Sequence, residues 1–482
     1  MCGIAGVRSV GRVSTSDALK YLALMVGHRG QSGVGLSIGS PHGNTHEPKR
    51  KLGDVEALIR EISDLTVGKG YGVIQTRYPT TGDHSSEKNL QPFKFEIGEE
   101  VFYLVFNGNL VNYEALKLEY NDLVSTTDTE VLARKFAEGF SSVDGSLKDQ
   151  VFAGVQHVLK TCFGGYSVII HRKKGGLIAF RDAFGTRPLV KAESEEAGFL
   201  GFASETQAFP QGIEGLEVKD VEPGEVYFYQ EDIGMHHHQF ESTDTAFDVF
   251  ELIYLAKELG LYNGVPVMQV RRSFGKKLAE QCRQEFEQSG WRPSIVIPVP
   301  NTSLIAGASL FECLHQDYPS LRYCAGAISI NPASQRGLRY FIGATGEVQD
   351  RILQEKHFII QSMVVGQDIL LVDDSIVRGK TMKHLVERLL ALGAKSVVVV
   401  IGCPPIIGTD HYGIATPDES ELISAQMEQE ELRKYLGANG LIFLTLENLK
   451  EVLKWHYPGK NFHLGYFNRI YHVGTPSDYL TA

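Results

Sequence analysis

Residues 367–403 read "QDILLVDDSIVRGKTMKHLVERLLALGAKSVVVVIGC". Two unbroken apolar runs flank an amphipathic stretch with helical spacing. A strand that is apolar on both faces must be covered on both faces, and a helix between two such strands returns the chain to run parallel. "PSIVIPVP" followed by the helical "SLIAGASLFECL" repeats the rhythm upstream. The second half is therefore expected to be a doubly wound parallel sheet, whose ligands bind beyond the carboxyl ends of its strands. Asp373 and Asp374 fall at such an end.

The first half has another pattern. "YGVIQTR", "VFYLVFNG", "YSVIIHR" and "LIAFRD" read as strands, and "STSDALKYLALM" as a helix with a Ser or Thr cap. Gly and Asn punctuate these elements, which suits an α/β sandwich with function in its loops. "PGEVYFYQEDIGMHHHQFES" reads as a closing hairpin. Consecutive strand residues point to opposite faces, so the three histidines do not converge on one ion. The expected organisation is a first domain over 2–240, a second over 241–440 and an extension over 441–482, with "YFNRIYHVGTPSDYLTA" laid on the surface.

At 482 residues, 43% hydrophobic and 22% charged, the chain has the length and composition of two large globular domains. A net charge of −11 argues against a nucleic-acid partner, whose phosphates call for Lys and Arg. No apolar run approaches the ~20 residues of a membrane helix, and the N-terminus lacks a signal-peptide pattern. No membrane partner and a cytoplasmic location are expected. The six cysteines form no Cys-x-x-Cys pair. Cys162, Cys282, Cys313, Cys324 and Cys403 read as small buried apolar residues, and Trp291 and Trp455 as packing residues.

Cys2 differs by its position. Removal of Met1 would leave it a thiol and a free α-amine, whose pKa of about 7.7–8.0 lets it act as base for its own side chain. Gly3 and Gly6 are expected to leave room for a substrate. "HRGQSGVG", "TRYPTTG", "NGNL" and "STTDTEVL" follow in order. With Cys2 they resemble the glutamine amidotransferases of the N-terminal-nucleophile class, an αββα sandwich. "AFRDAFGTRPL" and "ASET" match one branch of that class. The resemblance implies that Arg77 holds the glutamine carboxylate, that Asp128 binds its amine, that Arg29 is a further glutamine-binding residue, and that Asn107 and Gly108 form the oxyanion hole.

"LLVDDSIVRGKT" is not a P-loop, because Asp374 stands where that motif needs glycine. It resembles the phosphoribosyl pyrophosphate motif of type I phosphoribosyltransferases. Asp373 and Asp374 would then engage the ribose hydroxyls, directly or through Mg²⁺. The turn Ser375–Thr381, including Val377, Arg378, Gly379 and Lys380, would hold the 5′-phosphate. "VIPVPNTS" matches the pyrophosphate-side loop, with Thr302 near the metal. Taken together, the chain resembles the glutamine phosphoribosylpyrophosphate amidotransferase family. That resemblance implies glutamine-dependent synthesis of 5-phosphoribosylamine, the first step of purine synthesis, with purine nucleotides as inhibitors and a homo-oligomeric assembly.

Departures cluster in the second half. The interdomain "FELIYLAKELG" keeps only the lead-in of the family's segment. The catalytic loop is altered to "SQRGLRYFIGA", keeping Arg339, Phe341 and Ile342, with Arg336 nearby and Lys356 further on. The cysteines that ligate an iron–sulfur cluster in one branch are missing, so no cluster is expected. The altered loop leaves open a paralogue acting on another phosphosugar, or a non-catalytic sensor of glutamine or phosphoribosyl pyrophosphate.

Overall fold

The computed structural model describes the chain apart from residues 41–44, 54, 63–64, 79–80, 84, 241, 243, 331–356 and 481–482. Its first half stacks two antiparallel sheets. In the seven-stranded sheet the nucleophile strand Gly3–Ser9 lies between Phe199–Ala203 and Gly70–Arg77. In the six-stranded sheet the long strand Glu100–Leu110 pairs with Gly164–Arg172. Ile4, Val73, Val105, Ile169 and Phe202 fill the space between the sheets. Helix Thr15–Val26, capped by Ser14, covers the outer face of the first sheet, and helices Asp128–Ser141 and Leu147–Thr161 cover the second. The order helix, sheet, sheet, helix is the sandwich expected from the sequence. The closing hairpin is Glu225–Gln230 with Gly234–Gln239.

Gly3 and Gly6 do not make room for a substrate. A Cβ at Gly3 would meet the Val26 carbonyl oxygen at 2.5 Å, and one at Gly6 would meet Ile169 Cγ2 at 2.7 Å. Both glycines let the nucleophile strand pack closely against its neighbours.

The second half is a five-stranded parallel sheet in the order Arg322–Tyr323, Ile295–Pro298, Asp368–Asp373, Ser396–Ile401, Gly440–Phe443. Helices Leu304–Leu314, Lys380–Ala391 and Gln429–Leu436 connect the strands. This sheet runs past residue 440. Its last strand begins at Gly440, and helix Leu446–His456 packs on the same core through Leu449, Val452 and Leu453. The extension 441–482 makes further contacts with the rest of the chain. Phe462–His463 pairs in parallel with Phe247–Asp248, and Tyr466 and Phe467 are buried. Apolar side chains at these positions gain more from the core than from a surface site. Trp455, in contrast, is 68% exposed. Cys313 and Cys324 are only half-buried, unlike Cys162, Cys282 and Cys403. Among the described residues no helix is long and apolar enough to cross a bilayer.

The junction between the halves is charged and dry. Arg187 donates to Asp248 at 2.6 Å and to Asp410 at 3.4 Å, and all three side chains are fully buried. Removing one member of such a group would leave an uncompensated buried charge, at a cost of about 3–5 kcal/mol. Arg181, also buried, is satisfied by the carbonyls of Arg187, Val221 and Gly185.

Candidate functional site

Cys2 precedes the nucleophile strand and follows a buried Met1 whose thioether contacts Arg187. The Cys2 backbone N–H donates to Asn107 Oδ1 at 3.2 Å. Its thiol sits against the Tyr78 backbone, accepting from the N–H at 3.4 Å and donating to the carbonyl at 3.5 Å. Burial raises the thiol pKa, opposed by the N-terminal charge. Asn107 is fully buried in the strand Glu100–Leu110, and its Nδ2 has no hydrogen-bond partner among the described residues. One end of this amide thus holds the Cys2 backbone, while the other is a buried donor with no partner among the described residues. Gly108, the next residue, has φ +155°, and a Cβ there would meet the Gly165 carbonyl oxygen at 2.1 Å.

Arg77 ends the strand Gly70–Arg77 and is 4% exposed. Its Nη2 donates to the Asp83 carbonyl at 3.4 Å, while Nη1 is buried with no partner among the described residues. Asp128 opens the helix Asp128–Ser141 and accepts from the Leu110 N–H at 3.1 Å. Burial pushes its carboxyl up to about 7, against the pull of backbone donors and of Arg77. The loop before it is tied down. Ser125 donates to Glu130 at 2.7 Å, and Asn89 Nδ2 donates to Thr126 Oγ1 at 2.8 Å. The Cys2 backbone thus contacts the Asn107 amide, and the charges of Arg77 and Asp128 act on its thiol. Arg29 differs from the others. Its guanidinium is turned to Glu205, Glu251 and the Cys2 carbonyl.

In the second half, Asp373 ends its strand and Asp374 follows, both half-buried. Ser375 Oγ donates to Asp374 Oδ1 at 2.7 Å, and Thr302 Oγ1 donates to Asp374 Oδ2. The loop that carries Thr302 and the acid pair are thus joined by a side-chain hydrogen bond. The Val377 carbonyl accepts from the Ile423 N–H at 2.9 Å and Arg378 pairs with Glu421 at 2.7 Å, which hold the turn over the sheet. Gly379, at φ +73°, is the cap of the helix Lys380–Ala391. Lys380 and Thr381 lie in its first turn, where backbone N–H groups have no intrahelical partner. Arg339, with Arg336 and Lys356, lies outside the described residues.

Tyr254 lies in the π-helical turn Glu251–Leu255. Its hydroxyl pKa is raised first by burial and then by the charges of Asp374, Tyr78 and Asp373. The residue is 52% exposed. Tyr78, Glu205 and Glu251 carry no expected role in the sequence, yet they contact the Cys2 thiol or the Arg29 guanidinium. "ASET" and "FELIY" carry two of them, but a buried partner has no local signature.

This fold with these sites defines a class: a glutamine amidotransferase sandwich joined to a phosphoribosyltransferase-type parallel sheet. A family model described as a glutamine amidotransferase domain matches residues 80–211. A chloroplastic amidophosphoribosyltransferase of Vigna aconitifolia is 32% identical over 468 residues, covering 94% of this chain and 88% of that protein. The amidophosphoribosyltransferase of Methanocaldococcus jannaschii is 28% identical and covers 94% of each chain. A solved structure, the glutamine phosphoribosylpyrophosphate amidotransferase of B. subtilis complexed with ADP and GMP, superposes with a TM-score of 0.83 at 28% identity, covering 98% of both chains. The chain belongs to the amidophosphoribosyltransferase family, glycosyltransferases of the first step of purine biosynthesis.

Proposed function

We propose that the two sites divide the family's reaction as follows. With Met1 removed, the α-amine of Cys2 accepts the thiol proton, and the thiolate attacks the side-chain carbonyl carbon of glutamine. Arg77 Nη1 pairs with the glutamine carboxylate and Asp128 with its ammonium. Asn107 Nδ2 and the Gly108 N–H donate to the oxyanion. Ammonia leaves, and water releases glutamate from the thioester. The single observation that carries this reading is the Asn107 amide, which grips the Cys2 backbone through Oδ1 and keeps Nδ2 buried without a partner among the described residues.

Ammonia then displaces pyrophosphate from C1 of phosphoribosyl pyrophosphate in the second half. Asp373 and Asp374 engage the ribose hydroxyls, and the turn Ser375–Thr381 receives the 5′-phosphate at a helix N-terminus. Carboxylate and hydroxyl oxygens of Asp373, Asp374 and Thr302 are hard donors that fit Mg²⁺. Asp374 already gathers the Thr302 and Ser375 hydroxyls. When bound, the ion would offset charge on the pyrophosphate oxygens. Arg339 is the candidate to add positive charge from the altered loop. The B. subtilis relative holds ADP and GMP, which supports purine nucleotides as regulators here. The test is to supply purified protein with glutamine, with and without phosphoribosyl pyrophosphate, and follow glutamate and pyrophosphate together. Glutamate formed without pyrophosphate in the presence of both substrates would overturn the transferase half.

A further inference from the structure

The Cys2 carbonyl is held by a buried frame that crosses from one half of the chain to the other. Arg29 Nε donates to that carbonyl at 3.3 Å. The guanidinium is then gripped bidentately by Glu251, at 2.5 and 3.0 Å, and by Glu205 Oε1 at 2.6 Å. Arg29 and Glu251 have no exposed side-chain surface, and Glu205 has 5%. Glu205 Oε2 also accepts from the Lys257 N–H at 3.0 Å, so the frame closes on the segment just after Glu251. Glu251 sits at the start of the π-helical turn. That turn is fixed by the Ala256 N–H on the Glu251 carbonyl at 2.9 Å and by Arg271, which donates to the Leu252 and Ala256 carbonyls, both at 2.8 Å. His28 Nε2 lies 2.8 Å from Glu205 Oε1 and completes the set of polar neighbours.

We infer that Glu251, carried by the second half of the chain, is a positioning residue for the Cys2 nucleophile and acts through the Arg29 guanidinium. Cys2 lies ahead of its strand, so two contacts orient its backbone: Asn107 at the N–H and Arg29 at the carbonyl. A guanidinium has a fixed planar fork, so a carboxylate that binds two of its nitrogens sets the plane, and with it the direction of Nε. Displacement of a reacting atom by about 1 Å lowers turnover by about 10²-fold. The frame therefore makes thiol geometry depend on a carboxylate that never touches glutamine. The inference rests on Cys2 being the nucleophile.

The test uses full-length Glu251→Gln and Glu251→Asp. The aspartate keeps the charge that Arg29 needs in order to stay buried, but withdraws the carboxylate by one methylene. Three rates are read: glutamine hydrolysis, pyrophosphate release with ammonium chloride as the nitrogen source, and iodoacetamide alkylation of Cys2 followed by mass spectrometry. Positioning requires kcat for hydrolysis to fall at least about tenfold, KM for glutamine to stay within about twofold, and the ammonia-dependent rate to hold. The alkylation rate should change along with kcat. Wild-type hydrolysis in both variants overturns the inference, and so does a parallel loss of the ammonia-dependent rate, which marks a merely structural role. If wild-type protein hydrolyses no glutamine, the amidotransferase reading fails. The alkylation rates then still decide, and equality between wild type and Glu251→Asp overturns positioning.

Discussion

Gly413 of the parallel-sheet domain lies directly against Gly108 of the strand Glu100–Leu110. A Cβ at 413 would come within 2.9 Å of the Gly108 Cα and carbonyl carbon, and φ at 413 is +116°. Beside this contact the Asn109 amide donates to the His411 carbonyl at 2.9 Å. The second half thus packs directly against the residue proposed for the oxyanion hole. Gly413→Ala is expected to lower kcat for glutamine hydrolysis at least tenfold, which needs only about 1.4 kcal/mol of lost transition-state stabilisation. Ammonia-dependent synthesis should be retained. Steady-state assays with each nitrogen source check this, and an equal loss with both would refute it.

Cys2→Ser should abolish glutamine-dependent turnover while ammonia-dependent pyrophosphate release survives, because the thiol serves only the first half-reaction. A serine variant that still forms glutamate at the wild-type rate would remove Cys2 from the nucleophile role.

The Asp128 carboxyl, pushed up to about 7 by burial, predicts a pH effect. In the free protein the carboxyl is protonated below that value, and only the ionised form pairs with an ammonium. The kcat/KM for glutamine should therefore fall as pH drops through about 7, while kcat is less affected once bound ammonium stabilises the carboxylate. Asp128→Asn should lower kcat/KM throughout and lose this acid limb. Persistence of the same limb in the asparagine variant would assign it to another group.

Replacing Asp373 and Asp374 together with Asn should eliminate measurable phosphoribosyl pyrophosphate binding. Asparagine retains acceptors for the Ser375 and Thr302 hydroxyls, so stability should change by only about 0.5 kcal/mol. Titration calorimetry and thermal melting separate the two effects. Unchanged ligand affinity would rule out the acid pair as the ribose site.

Arg339→Ala should lower transferase turnover at least tenfold, about 1.4 kcal/mol, and leave basal glutamine hydrolysis near wild type. Pyrophosphate release at the wild-type rate would shift the assignment to Arg336.

Much of this protein is written locally in its sequence. Continuous apolar runs such as "SVVVVI" cannot face water on either side, so they fix a covered parallel sheet. The sandwich strands, the Ser14 cap, Cys2, Asn107 and the Asp373–Asp374 pair are legible because periodicity, caps and motifs act over a few residues. Tertiary structure alone decided the rest. Gly3 and Gly6 serve close packing, which depends on Val26 and Ile169 arriving from other elements. The fifth parallel strand begins at Gly440, where composition suggests a boundary, because strand order is settled by pairing across the sheet. Arg29 reads as a substrate-binding arginine, yet its guanidinium is gripped by Glu251, 222 residues away. A buried charge must be compensated, but any of many distant carboxylates could do it, and only the folded chain selects which.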